Sequence, residues 1–374
     1  MQFRDLRLQY NTLKFEIDKG IEGVIESSSF ILGKPVAELE ERLAEYIGRK
    51  YCVSCANGTD ALQLALMIWG VGPGDAVFTS NFTYFASAGT TSILGGTPVF
   101  VDINLDTFNM SPDDLEVQIQ RVIKEGKLTP KAIVPVDLFG QPADYNKILP
   151  IAEKYGLKVL EDAAQGFGGK IHDKKAGAFG DLSATSFFPA KPLGCYGDGG
   201  AIFTDDAEVD NRLRSLRAQG KSPIDKYDNR EIGINSRLDT IQAAILLPKL
   251  KAFEEYELEA VNQVANWYTE RLAEKYVTPT VVDGFLSSWA QYTILAKDKK
   301  TRDDLQSYLK GLGIPSMIYY PRGLHQQEAY KWMDLSDEMY PNTIEATKRC
   351  LSLPMHPYLK EEDVEFICKA MLEK

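Results

Sequence analysis

Lys191 is the residue around which any chemistry in this chain must be built. It stands in the stretch Thr185 to Thr204, TSFFPAKPLGCYGDGGAIFT, between Pro189 and Pro192 and ahead of Gly194, Gly197, Gly199 and Gly200. Thr185 to Phe188 reads as a short strand that stops at Pro189, which cannot donate to a sheet ladder. Ala201 to Thr204 resumes the sheet, and the glycines permit turns and close approaches that other residues resist. A lone amine on a constrained loop between buried strands suits covalent chemistry on a carbonyl compound. The plainer alternative is a solvated surface lysine.

Three further clusters precede it. Asn57-Gly58-Thr59-Asp60 is a glycine turn opening a helix, where free N–H groups and the helix dipole attract phosphate; it is also an ordinary N-cap sequence. Asn81-Phe-Thr-Tyr84 follows a strand end, and Tyr84 is either a flat face for a ring or a core aromatic. Glu161-Asp162 ends a strand ahead of Ala-Ala-Gln165-Gly-Phe-Gly-Gly169. Neighbours on a strand face opposite ways, so the acids are not a dyad; one is expected to point into the crevice, and a structural ion pair is the plainer alternative. Ser186 sits at the end of the Lys191 strand. A phosphate cradle, a stacking aromatic, an in-pocket carboxylate and a constrained lysine together are what pyridoxal 5'-phosphate (PLP) requires. The lysine forms a Schiff base, the carboxylate keeps the pyridine nitrogen protonated, and the freed lysine moves protons.

The elements that must position these groups alternate. Helices are expected over 12–30 and 35–48. Strands are expected over 51–55, 75–80, 97–102, 131–136 and 157–161. Helices from 61, over 82–94, over 112–125 and over 143–155 lie between or after them. This βαβα order predicts a mostly parallel sheet with helices on both faces, with ligands at the carboxyl ends of the strands. Beyond 205 the pattern predicts a helix over 206–219, a polar loop over 222–234, and a long helix from 237 to about 274 that Pro248 kinks. Strands over 289–297 and 314–319, with a helix over 301–312 between them, and a closing helix over 361–373 complete it. The expected division is a large domain, 1–250, and a smaller C-terminal α/β domain, 251–374.

Composition narrows the remaining classes. The 374 residues carry a net charge of -11 with no basic block, which gives no attraction to nucleic acid. No apolar run is long enough to span a bilayer, and the N-terminus lacks an apolar signal segment, so a cytoplasmic protein is expected. The five cysteines are scattered, and Cys52 and Cys55 fall on opposite faces of their strand. His172, His325 and His356 form no metal-ligand pattern, and no metal is expected.

The segments ANGTDAL, NFTYFASA, EDAAQGFGG, SFFPAKPLGCYGDGGAI, GINSRLDTIQAAIL, YYPRGLHQQEAY and LSLPMHPYL, in that order from about 31 to 358, resemble the DegT/DnrJ/EryC1/StrS family of sugar aminotransferases. The resemblance implies an α/β, fold type I PLP-dependent transferase. Carried over by position, Lys191 resembles the Schiff-base lysine and Asp162 the partner of the pyridine nitrogen. Gln165 resembles the residue that packs on the ring or bonds its 3-hydroxyl, and Tyr84 the stacking residue. Gly58, Thr59 and Ser186 match phosphate contacts, and Asn235 matches a residue reaching the phosphate of the neighbouring subunit. The resemblance therefore implies a homodimer with shared sites. Arg237, Tyr320 and His325 fall in segments resembling substrate contacts. Relatives with histidine in place of the lysine are dehydratases, which the presence of Lys191 argues against.

The substrates implied are L-glutamate and a nucleotide-diphosphate keto sugar. The lysine and NSRLD segments look closest to the branch that aminates C3 of UDP-2-acetamido-2-deoxy-3-oxo-glucuronate for O-antigen and capsule precursors. Arg237, Arg230 and Arg322 are the arginines available to its carboxylate. Aminotransferases of dTDP- or UDP-linked 3-keto- and 4-keto-6-deoxyhexoses are the alternative. A non-catalytic regulatory role stays open as a different class. A dinucleotide-binding dehydrogenase is disfavoured, because the glycines at 194–200 do not open a helix after the first strand of a βαβ unit.

Overall fold

The architecture is that of a computed structural model, which describes residues 1–222, 224–225 and 227–374. Two helices lead, α1 (Leu6–Ser27) and α2 (Lys34–Ile47). The first starts earlier than its apolar spacing predicts, because the Asp5 carboxylate accepts from Leu8 N at 2.8 Å and caps it. Strands and helices then alternate through β1 (Tyr51–Cys55), α3 (Gly58–Ile68), β2 (Asp75–Ser80), α4 (Ala86–Ile93), β3 (Thr97–Val101), α5 (Pro112–Glu125), β4 (Thr129–Val134), α6 (Tyr145–Tyr155) and β5 (Lys158–Asp162). Two short strands, β6 (Lys170–Ile171) and β7 (Lys174–Lys175), precede β8 (Leu182–Ser186), β9 (Gly200–Thr204) and α7 (Ala207–Leu216).

Seven of these strands make one sheet in the order β1-β9-β8-β5-β4-β2-β3. Only β9 runs antiparallel to its neighbours. Both faces are covered, as the alternation of each strand requires. Cys52, Ala201 and Phe203 pack with Val36, Leu39 and Leu43 of α2 on one face. Val53, Cys55 and Ile202 pack with Leu62 and Leu66 of α3 on the other. Cys52 and Cys55 thus lie in different cores, as the strand period predicts.

The rest of the chain is α8 (Thr240–Ala252), α9 (Leu258–Leu272), β10 (Phe285–Leu286), β11 (Tyr292–Leu295), α10 (Lys299–Gly311), α11 (Pro341–Arg349), β12 (Cys350–Leu353) and α12 (Glu361–Glu373). A second apolar core joins Val264, Tyr268, Tyr292, Leu309, Leu351 and Ile367 of these elements.

Three expectations are corrected. The long helix runs on from Thr240 to Leu272, but its irregularity is a π-helical turn over Phe253–Glu257 between α8 and α9, several residues beyond Pro248. The strand expected over 185–188 is Leu182–Ser186, with Phe187 N still donating to Gly199 O at 2.7 Å as the pairing with β9 ends. The strand expected over 314–319 is a single bridge of Met317 to Ser352, and the partner of β11 is β12, too short to show a period. No helix among the described residues is long and apolar enough to cross a membrane.

Candidate active site

The carboxyl ends of β1, β2, β5 and β8 lie at one edge of the sheet, and the loops leaving them converge there. At the end of β1, Asn57 caps α3, its side chain accepting from Asp60 N at 2.8 Å. The first N–H groups of a helix have no partner within it, so those of Gly58 and Thr59 remain for an anion. Gly58 lies against Ser186 at the end of β8; a Cβ on Gly58 would stand 2.6 Å from the Ser186 Cβ and 3.0 Å from its Oγ. Gly200 on β9 is equally tight, with Asn57 backbone atoms 2.5 Å from where its Cβ would be. These two glycines let a helix N-terminus and a serine hydroxyl close into one cradle. Ser236 accepts from Ala56 N at 3.0 Å and ties the Asn235–Arg237 segment to the same turn.

The two acids at the end of β5 part as strand geometry requires. Glu161 turns inward and accepts from Gly177 N and Phe179 N at 2.7 and 2.8 Å. It is not ion-paired: its neighbour is Asp137, a second buried carboxyl held by Tyr145 Oη at 2.8 Å and Ala143 N at 2.9 Å. Burial pushes both carboxyls well above the usual range; Asp137 raises Glu161 further, while Asp137 is itself lowered by its hydrogen bond with Glu161 and raised by the charge of Asp162. Asp162 faces the crevice. Ser87 Oγ donates to it at 2.8 Å and Ala164 N at 3.2 Å. Burial raises its pKa, while Ser87 and the nearby Lys191 amine pull it down.

Lys191 stands on the loop after β8, its own N–H donating to Phe188 O at 2.8 Å. Burial lowers the basicity of its amine; Asp162 opposes this and Arg4 adds to it. Tyr84 is 59% exposed, which excludes the core-aromatic alternative; the next residue, Phe85, takes the packing role by stacking on Tyr330. Gln165 is buried, its Oε1 accepting from Phe139 N at 3.0 Å and its Nε2 donating to Tyr320 Oη at 3.2 Å. Tyr320 is thereby placed beside the crevice, its ring edge-on to Phe82.

His325 is placed otherwise than a substrate contact requires. Its Nδ1 lies 2.7 Å from Asn81 Nδ2, and its Nε2 3.0 Å from an Asp337 carboxylate oxygen. With both nitrogens engaged and the ring buried against Tyr340, it braces the loop that carries Tyr320. Asn235 is exposed, and Arg237 is half-buried with no ion pair among the described residues. Arg230 pairs with Asp228 at 3.8 Å and Arg322 is exposed.

Ser87 and Asp137 are not recognisable from sequence alone. Ser87 lies in a run of small residues, and Asp137 has no charged neighbour in sequence. The residues fit PLP: an anion cradle of Gly58, Thr59 and Ser186, a buried carboxylate for a ring N–H, an exposed aromatic face and an amine of lowered basicity.

The chain matches the model of the DegT/DnrJ/EryC1/StrS aminotransferase family over residues 11–372. It is 45% identical to the UDP-2-acetamido-2-deoxy-3-oxo-D-glucuronate aminotransferase of Pseudomonas aeruginosa over 99% of both chains. It is 42% identical to the pleiotropic regulatory protein of Geobacillus stearothermophilus, over 99% of this chain and 97% of that one. In three dimensions it superposes on a crystal structure of a DegT DnrJ EryC1 StrS aminotransferase from Brucella abortus with a TM-score of 0.97. That match has 49% identity and covers 100% of this chain and 99% of the other. The fold is that of a PLP-dependent aminotransferase. The chain belongs to the DegT/DnrJ/EryC1/StrS family.

Proposed function

We propose that this enzyme transfers the amino group of L-glutamate to C3 of UDP-2-acetamido-2-deoxy-3-oxo-glucuronate, in the cytoplasm, for O-antigen or capsule precursors. The observation that carries the choice of sugar is the 45% identity, over essentially the full length, to an aminotransferase of that name. Arg237 supports it: a half-buried guanidinium without a counter-ion in its own protomer suits a uronate carboxylate. Bound PLP supplies a ring that accepts electrons from the substrate carbon.

The chain's own residues do the rest. Gly58, Thr59 and Ser186 hold the phosphate, and Tyr84 covers the ring. Asp162, oriented by Ser87, stays ionised against the ring N–H. Lys191 receives and returns the proton at the substrate carbon, and its lowered basicity brings the amine closer to working pH. Gln165 and Tyr320 close the far wall, and Tyr320 Oη is available to the sugar.

The assembly is proposed to be a homodimer in which Asn235 reaches the partner's phosphate. Ile224 and Ile232, 86% and 90% exposed on the loop before Asn235, fit a surface that a second copy covers. Residues 1–250 and 251–374 are proposed to act as the large and small domains. A panel of UDP- and dTDP-linked 3-keto and 4-keto sugars tests the substrate. Turnover confined to a 6-deoxyhexose would reject the uronate. Absence of turnover with every sugar, together with retained ligand binding, would favour a regulatory role.

A further inference from the structure

The loop carrying Lys191 is poor in its own hydrogen-bond donors. Pro189 and Pro192 have no N–H, so the loop depends on partners from elsewhere to hold its shape. Two of its carbonyls are taken by cations from distant parts of the chain. Arg4 Nη2 donates to Pro192 O at 3.2 Å, and the buried Lys249 Nζ of α8 donates to Gly194 O. Lys249 also lies over the Tyr196 ring, 4.9 Å from its centroid.

Arg4 is itself held on both sides. Before it, Phe3 O accepts from Met355 N at 3.1 Å and the Phe3 ring packs edge-on to Tyr319. After it, Asp5 caps α1, and Gln9 Nε2 reaches Glu257 Oε1 at 2.8 Å. Tyr358 Oη donates to the same oxygen at 2.6 Å. The first nine residues therefore form a strap from the second core to the Lys191 loop.

We propose that Arg4 is a positioning residue for Lys191. Through Pro192 O it fixes the loop, and its charge, held by a guanidinium whose pKa burial lowers to about 10, disfavours the protonated form of the amine. Lys249 holds the same loop from beneath through Gly194 O. The charged groups facing this assembly are Asp162 of β5 toward Lys191, and Glu257, Lys249 and His356 toward Arg4. Among the described residues no ion pair joins Arg4 to Glu257, which acts on the guanidinium through its charge alone. The inference rests on Lys191 being the amine that takes the cofactor.

The test compares Arg4→Gln and Arg4→Lys with the unaltered protein. Cofactor-free protein is acetylated with trace acetic anhydride across pH, and labelling at Lys191 is measured by mass spectrometry. The labelling midpoint is expected to move to higher pH in Arg4→Gln and to stay in place in Arg4→Lys. An unchanged midpoint in Arg4→Gln, or the same shift in both Arg4 variants, overturns the proposal. If Arg4→Gln does not fold, Arg4→Lys decides, and a midpoint displaced from that of the unaltered protein overturns it. The PLP-loaded proteins are titrated in parallel through their visible band. If the unaltered protein gives no such band, the proposed function fails, while the labelling midpoint still judges Arg4.

Discussion

Replacing Gly58 by alanine tests the cradle at its tightest point. The backbone at 58 lies outside the positive-φ region, so the substitution adds no backbone strain there. Its consequence is steric: the new Cβ meets the Ser186 Cβ at 2.6 Å where ordinary contact begins at 3.4 Å. Either the α3 N-terminus or the end of β8 must retreat by several tenths of an ångström. Overpacking of this kind costs about 1–3 kcal/mol. That cost falls on the two elements whose mutual position defines the phosphate site, and each 1.4 kcal/mol is a factor of ten. PLP affinity is therefore expected to fall about ten- to a hundred-fold, read by titrating cofactor-free protein and following visible absorption. Gly23→Ala is the control. Its Cβ meets nothing within 4 Å, in the exposed middle of α1, where alanine is worth about 0.5–1 kcal/mol over glycine. It should leave affinity unchanged and raise thermal stability slightly. A Gly58→Ala protein that binds PLP within about twofold of the unaltered one would refute the cradle.

Ser87→Ala removes a donor that lowers the Asp162 pKa, so the acid limb of kcat/KM should move to higher pH; Asp162→Ala should weaken both PLP retention and rate. Glu40→Ala should cost about 3–5 kcal/mol in chemical denaturation. It leaves buried Arg217 without the carboxylate it meets at 2.6 Å, and Arg214 without the one at 2.7 Å. Asp137, raised by burial to about 7, contributes stability that is present below the ordinary carboxylate range of about pH 4 and is lost as pH rises through about 7. Asp137→Asn should flatten this part of the melting temperature against pH profile; an unaltered slope would mean that the Asp137–Glu161 pair does not share a proton in the fold.

The sequence was most readable where local rules decide the outcome. The parallel order followed from apolar runs alternating with helical periods, and the glycine turn before α3 announced a helix start through its cap residue Asn57. Strand alternation separated Glu161 from Asp162 correctly. It did not show that Glu161 meets Asp137, which is 24 residues away and reaches it only because β4 and β5 are neighbours. Ser87 was hidden for a related reason: a serine among small residues carries no local sign of the carboxylate it will face across the sheet edge. His325 shows packing partners that its sequence position does not announce. Its position suggested a sugar contact, yet tertiary packing places it between Asn81 and Asp337. Arg4 and Lys249 look like ordinary surface cations until the fold brings both to the Lys191 loop, from opposite ends of the large sheet's sequence.

The central claim is that Lys191 holds PLP covalently while Asp162 governs its ring. An ultraviolet-visible spectrum of the purified protein with added PLP, before and after L-glutamate, tests it most directly. A visible band that moves to shorter wavelength with glutamate, and that is absent from a folded Lys191→Ala protein, is the predicted result. The same band and the same response in Lys191→Ala would contradict the account.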